Sequence, residues 1–109
     1  MFELLYILGP DGRTPIPCAD PDQWRDWFFG SPEQRIVAKT QIGEVEVSTA
    51  FIGANTEADF SIKPRLFETL VLGGPHDGVT SKAITWEEAE QQHKLMCERL
   101  ASGGPKSVA

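Results

Sequence analysis

The side chains in this sequence whose types and spacing could do chemistry start with its two histidines. His76 precedes Asp77 on a glycine-rich turn, Gly73-Gly74-Pro75-His76-Asp77-Gly78. An imidazole beside a carboxylate can serve as a general base or as half of a metal site. His93 is the one other imidazole, and no Cys or His pair has a zinc-like spacing. His76 therefore reads as a solvated turn residue, with no metal. Gly73-Gly74 runs into Pro75 and opens no helix, so it lacks the geometry of a phosphate loop. Cys97 lies one turn from His93, which can activate a thiol. Both project from the apolar face of one helix, where substrate access would be poor. His93 is expected to be a core histidine, satisfied by a backbone carbonyl or a strand side chain such as Glu68.

Glu68 sits between Phe67 and Thr69 in an apolar strand. Its side chain points the same way as Leu66, Leu70 and Leu72, so it needs a partner, with His93 or Lys39 the expected ones. These readings imply no enzyme and no cofactor. The run Trp24-Arg25-Asp26-Trp27-Phe28-Phe29 holds more aromatic surface than one helix face buries. Trp24, Trp27 and Phe28 are assigned to the core, and Phe29 with Arg25 to a contact surface.

The elements that must position these residues are legible from pattern. Residues 2–8 read as a strand, Gly9-Pro10-Asp11-Gly12 as a turn, and Arg13 to Cys18 as a short return strand. Pro15 and Pro17 confine that return strand to a sheet edge. Asp20-Pro21-Asp22-Gln23 starts a helix that Gly30 ends, and Ser31-Pro32-Glu33-Gln34 adds a single turn. Ile36 to Ile42 and Glu44 to Ile52 form a hairpin about Gly43. In its second strand Val45, Val47, Thr49 and Phe51 face one way and Glu44, Glu46, Ser48 and Ala50 the other. The sheet is therefore covered on one side only. Gly53 to Pro64, about a dozen residues, is a candidate binding loop. Leu66 to Leu72 is a central strand and Val79 to Ile84 a last short one. Thr85 and Glu88 box the start of a helix to Leu100. Its stripe is Trp86, Ala89, His93, Met96, Cys97 and Leu100, with Leu95 opposite and exposed. Glu90–Lys94 and Lys94–Glu98 stand at ion-pair spacing.

The expected fold is α+β, a mostly antiparallel sheet of four to six strands with two helices packed on one face. Residues 1–101 form one domain and 102–109 a mobile tail. Hydrophobic residues make up 40% and charged residues 24% of the 109, an ordinary globular composition. No apolar run reaches the roughly 18 residues of a membrane span. The N-terminus reads as a strand and not a signal peptide. Cys18 and Cys97 are expected to be reduced thiols in a cytoplasmic protein. A net charge of −6 argues against general nucleic-acid binding and suits docking on a basic surface.

Four blocks carry a resemblance: Val37-Ala38-Lys39-Thr40, Val47 to Gly53, Leu66 to Gly74, and Thr85-Trp86-Glu87-Glu88-Ala89 through His93. Over residues 35–100 the chain resembles small uncharacterised accessory proteins of tailed bacteriophages and prophages. It departs from them after Gly53, where they tend to carry an Asp-His-Phe-like segment and this chain has Ala54 to Phe60. The resemblance implies a mobile-element setting, whose genes often encode binders that block host defence, including anti-CRISPR proteins. The expectation is a non-enzymatic inhibitor in the host cytoplasm. Its partner would be a host protein or protein–nucleic acid complex with a basic surface, contacted through Glu44, Glu46, Glu57, Asp59, Asp22, Asp26 and Phe29. Homodimerisation would be unsurprising. The alternative is a signalling-nucleotide sponge using Arg35, Lys39, Phe60 and Arg65.

Overall fold

The computed structural model describes residues 4–30, 32–57 and 63–101. The chain has an α+β fold with antiparallel sheets. Strands β1 (Tyr6–Leu8) and β2 (Pro15–Pro17) form a two-stranded sheet of their own. Their turn is organised by Asp11, which accepts the N–H groups of Arg13 and Thr14 at 2.9 and 2.8 Å. The Thr14 hydroxyl, followed by these N–H groups, holds the Asp11 carboxyl down at about 2. Both prolines of β2 sit in a strand with a single partner, where a missing N–H costs little.

Helix α1 (Pro21–Gly30) begins as its sequence dictates. Asp20 accepts the Asp22 N–H at 2.9 Å, and Pro21 takes the first helical position. Its C-terminal end is closed from outside, because Arg35 donates from Nε to the Phe28 carbonyl at 2.9 Å. That carbonyl belongs to the last turn, where no intrahelical N–H is available. A 3-10 turn, Pro32–Arg35, leads into the main sheet.

Strands β3 (Ile36–Ile42), β4 (Val45–Phe51), β5 (Phe67–Leu72) and β6 (Thr80–Ala83) follow one another in spatial order, all antiparallel. Gly43 opens the two-residue β3–β4 turn at φ +60, a conformation that costs glycine nothing. Leu66 to Leu72 was expected to be central, and β5 is central.

Helix α2 (Trp86–Ala101) lies across the sheet. Thr85 accepts the Glu88 N–H at 3.0 Å, as the capping box requires, while the Glu88 carboxylate reaches past Thr85 to the Ile84 N–H at 3.0 Å. Ala89, His93 and Met96, spaced four and three residues apart, are its buried positions. They meet Val47, Thr49 and Phe51 of β4 and Phe67, Thr69 and Val71 of β5, the covered side of the sheet. Burying each large apolar side chain here contributes about 1.5–3 kcal/mol. α1 reaches the same core through Trp27, which meets Phe51 edge-on at 5.9 Å.

Three expectations need correction. Trp24 and Phe28 are half-buried, and α1 contains no fully buried residue. Too little sheet lies under this helix, so the two rings stack on each other at 4.6 Å instead. The N-terminal strands form a separate ribbon, joined to the end of β4 by the Tyr6 N–H to Gly53 carbonyl bond at 2.8 Å. Glu90, Lys94 and Glu98 make no ion pair with one another. Residues 102–109, expected to be a mobile tail, lie outside the described residues. No helix among the described residues is long and apolar enough to cross a membrane.

Candidate functional site

The side of the main sheet away from α2 carries the side chains that alternate with the core positions. Strand register sets them in rows. Lys39, Ser48, Leu70 and Thr80 stand abreast, Gln41, Glu46 and Leu72 form the row to one side, and Ala50, Glu68 and Lys82 the row to the other. Leu72 is 42% exposed, a large apolar side chain with no helix above it among the described residues. Lys39 reaches Glu46 at 3.8 Å. The face is a short apolar strip, Leu70 and Leu72, flanked by charges of both signs.

The expected partner-binding acids lie in three separate places. Glu44 lies exposed in the β3–β4 turn, next to Glu46 on the open face. Asp22 and Asp26 lie exposed on α1, where Asp22 holds Arg25 at 3.0 Å. Glu57 accepts two hydrogen bonds from the Arg65 guanidinium, at 2.8 and 3.0 Å, and a third from the Arg65 backbone N–H at 3.3 Å. The Arg65 side chain holds the Glu57 carboxyl down at about 2, and Glu57 in turn raises the guanidinium pKa. Glu46, Glu57 and Asp22 thus have internal cations, leaving Glu44 and Asp26 as the free carboxylates of the described set. Asp59 lies outside the described residues.

Phe29 is 64% exposed, edge-on to Trp24 at 6.4 Å and to Phe28 at 5.2 Å. The Arg35 guanidinium lies over the other ring of this cluster, 3.8 Å from the Phe28 centroid. Burial lowers its pKa. The alternative ligand set is not drawn together: Arg35 engages Phe28, Lys39 engages Glu46 and Arg65 engages Glu57. Phe60 lies outside the described residues.

His93 is a core histidine satisfied by strand side chains, as expected, but these are Thr40 and Thr49 and not Glu68. Nε2 lies 2.8 Å from the Thr40 hydroxyl and Nδ1 2.8 Å from the Thr49 hydroxyl, which is 2.6 Å from that of Thr69. Burial lowers the imidazole pKa. Glu68 is on the opposite side of the sheet, with Ala50 and Lys82 as its register neighbours. Cys97 is half-buried beside Met96 in the core, and both cysteines are free thiols. Asp77 accepts the Gly73 N–H at 2.6 Å and so closes the turn that carries His76. Among the described residues no group of three or more His, Cys, Asp or Glu is placed to hold a metal.

Comparison with family models, curated proteins and solved structures gave no match. Sequence reasoning placed Glu44 and Glu46 on the open face but missed Leu70, Leu72 and Lys82. The signal was present in β5, where Leu70 and Leu72 alternate with Thr69 and Val71. It was ambiguous because both alternating sets of that strand are largely apolar.

Proposed function

We propose that this chain is a non-enzymatic binding protein that inhibits a host defence complex, docking through the open face of its sheet. The supporting observation is that face itself: exposed Leu72 and half-buried Leu70 with Glu46 and Glu68 beside them, and no helix above among the described residues. An apolar centre with a charged border is the anatomy of a protein interface. The acidic excess, −6 overall, and the free Glu44 carboxylate at the border favour a basic partner surface, reached in the host cytoplasm. Direct nucleic-acid binding is disfavoured by the same charge.

The test is affinity capture from host lysate with the tagged chain, followed by an inhibition assay on the complex recovered. Leu72→Asp and the pair Glu44→Lys, Glu46→Lys should each abolish capture and inhibition while the circular dichroism spectrum is retained. Capture and inhibition that survive both variants would refute the reading.

A further inference from the structure

On the helix side of the sheet, the outer edge of β6 and the flank of α2 enclose a groove of about 610 Å³. Val79, Thr80 and Ser81 line it from the strand, and Leu95, Met96, Glu98 and Arg99 from the helix. The open-face reading leaves it unused.

The strand edge in this groove offers free backbone groups. Val71 donates its N–H to the Val79 carbonyl at 3.0 Å, and Thr69 stands opposite Ser81. Alternate residues of an antiparallel strand bond to opposite sides. The N–H and C=O of Thr80 and Lys82 therefore point away from β5, toward a side with no further strand among the described residues. Ile84 is next in that series, and Glu88 takes its outward N–H. The edge is thus closed by α2 at one end and open along Thr80–Lys82. The other edge strand, β3, is guarded differently, by a bulge between Ile36 and Ala38 and by exposed Lys39.

The apolar wall points to the same kind of occupant. Val79 and Leu95 are 42% and 45% exposed, with Met96 buried between the helix and the sheet. The Ser81 hydroxyl donates to the Gln92 amide oxygen at 2.7 Å, tying strand to helix across the groove floor. Glu98 makes no ion pair among the described residues, whereas Arg99, the cation on the same wall, has a partner of its own.

We infer that this groove binds an extended peptide segment of another protein, added to β6 as one more strand. An aliphatic side chain sits between Val79, Leu95 and Met96, and a neighbouring Lys or Arg faces Glu98. Backbone bonds to Thr80 and Lys82 supply affinity, while the apolar seat and Glu98 select the sequence. A groove of this volume lies within the usual 300–1,000 Å³ range of binding sites.

A library of short random peptides displayed on yeast, selected against the full chain, tests this. Enriched peptides should carry an aliphatic residue next to Lys or Arg. Their synthetic forms should lose binding when alternate backbone amides are N-methylated. Leu95→Asp, at an exposed position, should weaken them about tenfold or more, and Glu98→Lys should reverse the charge preference. Thr80→Pro removes an outward N–H where an edge strand tolerates proline, and should also weaken binding. Circular dichroism checks the fold of each variant. No enrichment, enriched peptides that bind Leu95→Asp like the parent, or peptides indifferent to N-methylation would overturn the inference. So would a dimer, seen by light scattering, that Leu95→Asp dissociates.

Discussion

The two helices start with the same capping grammar and reach opposite ends of the burial scale. α2 buries Ala89, His93 and Met96, whereas α1, with two tryptophans and two phenylalanines, has no buried residue. Aromatic content does not decide this. α2 has four strands beneath it; α1 packs chiefly on the three-residue β1. Helix α2 is therefore held by packing and a buried polar network. Helix α1 is held by ring stacking and a few directed bonds, chiefly the Trp24 indole N–H shared between the Tyr6 and Gly53 carbonyls at 3.0 and 3.1 Å. Gly53 lets them meet, since a Cβ there would stand 3.0 Å from the Tyr6 carbonyl and 3.2 Å from the Trp24 Nε1.

The sharpest way to break this contrast is Phe51→Ala. Phe51 is fully buried and touches Trp27 of α1 and Phe67 of β5, so both regions depend on it. Loss of about 3–5 kcal/mol is expected in urea denaturation.

Next in size is Thr49→Val, which strips a partner from both His93 and Thr69 and should cost about 1–3 kcal/mol. The same network sets a pH dependence. The folded imidazole pKa lies below the ordinary 6.5, so protonation favours the unfolded chain. This contribution is whole above pH 6.5 and declines as pH falls toward the folded value. A thermal melting series should show the decline in the parent and not in His93→Gln. A second decline, as pH falls past the ordinary carboxylate range toward about 2, belongs to Asp11 and Glu57.

Trp24→Phe should cost about 1 kcal/mol, and its effect should be local. Exchange of the Tyr6 amide should accelerate while β5 amides stay protected. Smallest of all, Arg25→Ala breaks an exposed ion pair and should shift stability by less than about 0.5 kcal/mol. A larger shift would mean that α1 relies on its surface charges more than on its aromatic rings.

Much of the fold was legible because its signals are local. Asp20 and Thr85 announce the helix starts, and β4 alternates cleanly between core and open face. β5 was not legible in the same way. Its Phe67, Thr69, Val71 set and its Glu68, Leu70, Leu72 set are both apolar enough to face a core, so the pattern could not say which did. That ambiguity misassigned Glu68 to His93. Thr49 carried the missing clue: β4 had already put it on the covered side, where a buried hydroxyl needs a polar partner. Of the candidate site, Glu44 and Glu46 were legible, but the apolar strip beside them was not.

By itself, the sequence determined the α+β class, the element order, the helix caps and which face of β4 is covered, because each is a relation among residues a few positions apart. Tertiary structure alone decided that His93 answers Thr40 and Thr49, that Glu46 and Glu57 carry their own cations, and that β6 meets α2 in an open groove. Those are pairings between residues distant along the chain, and strand register, not composition or spacing, brings them together.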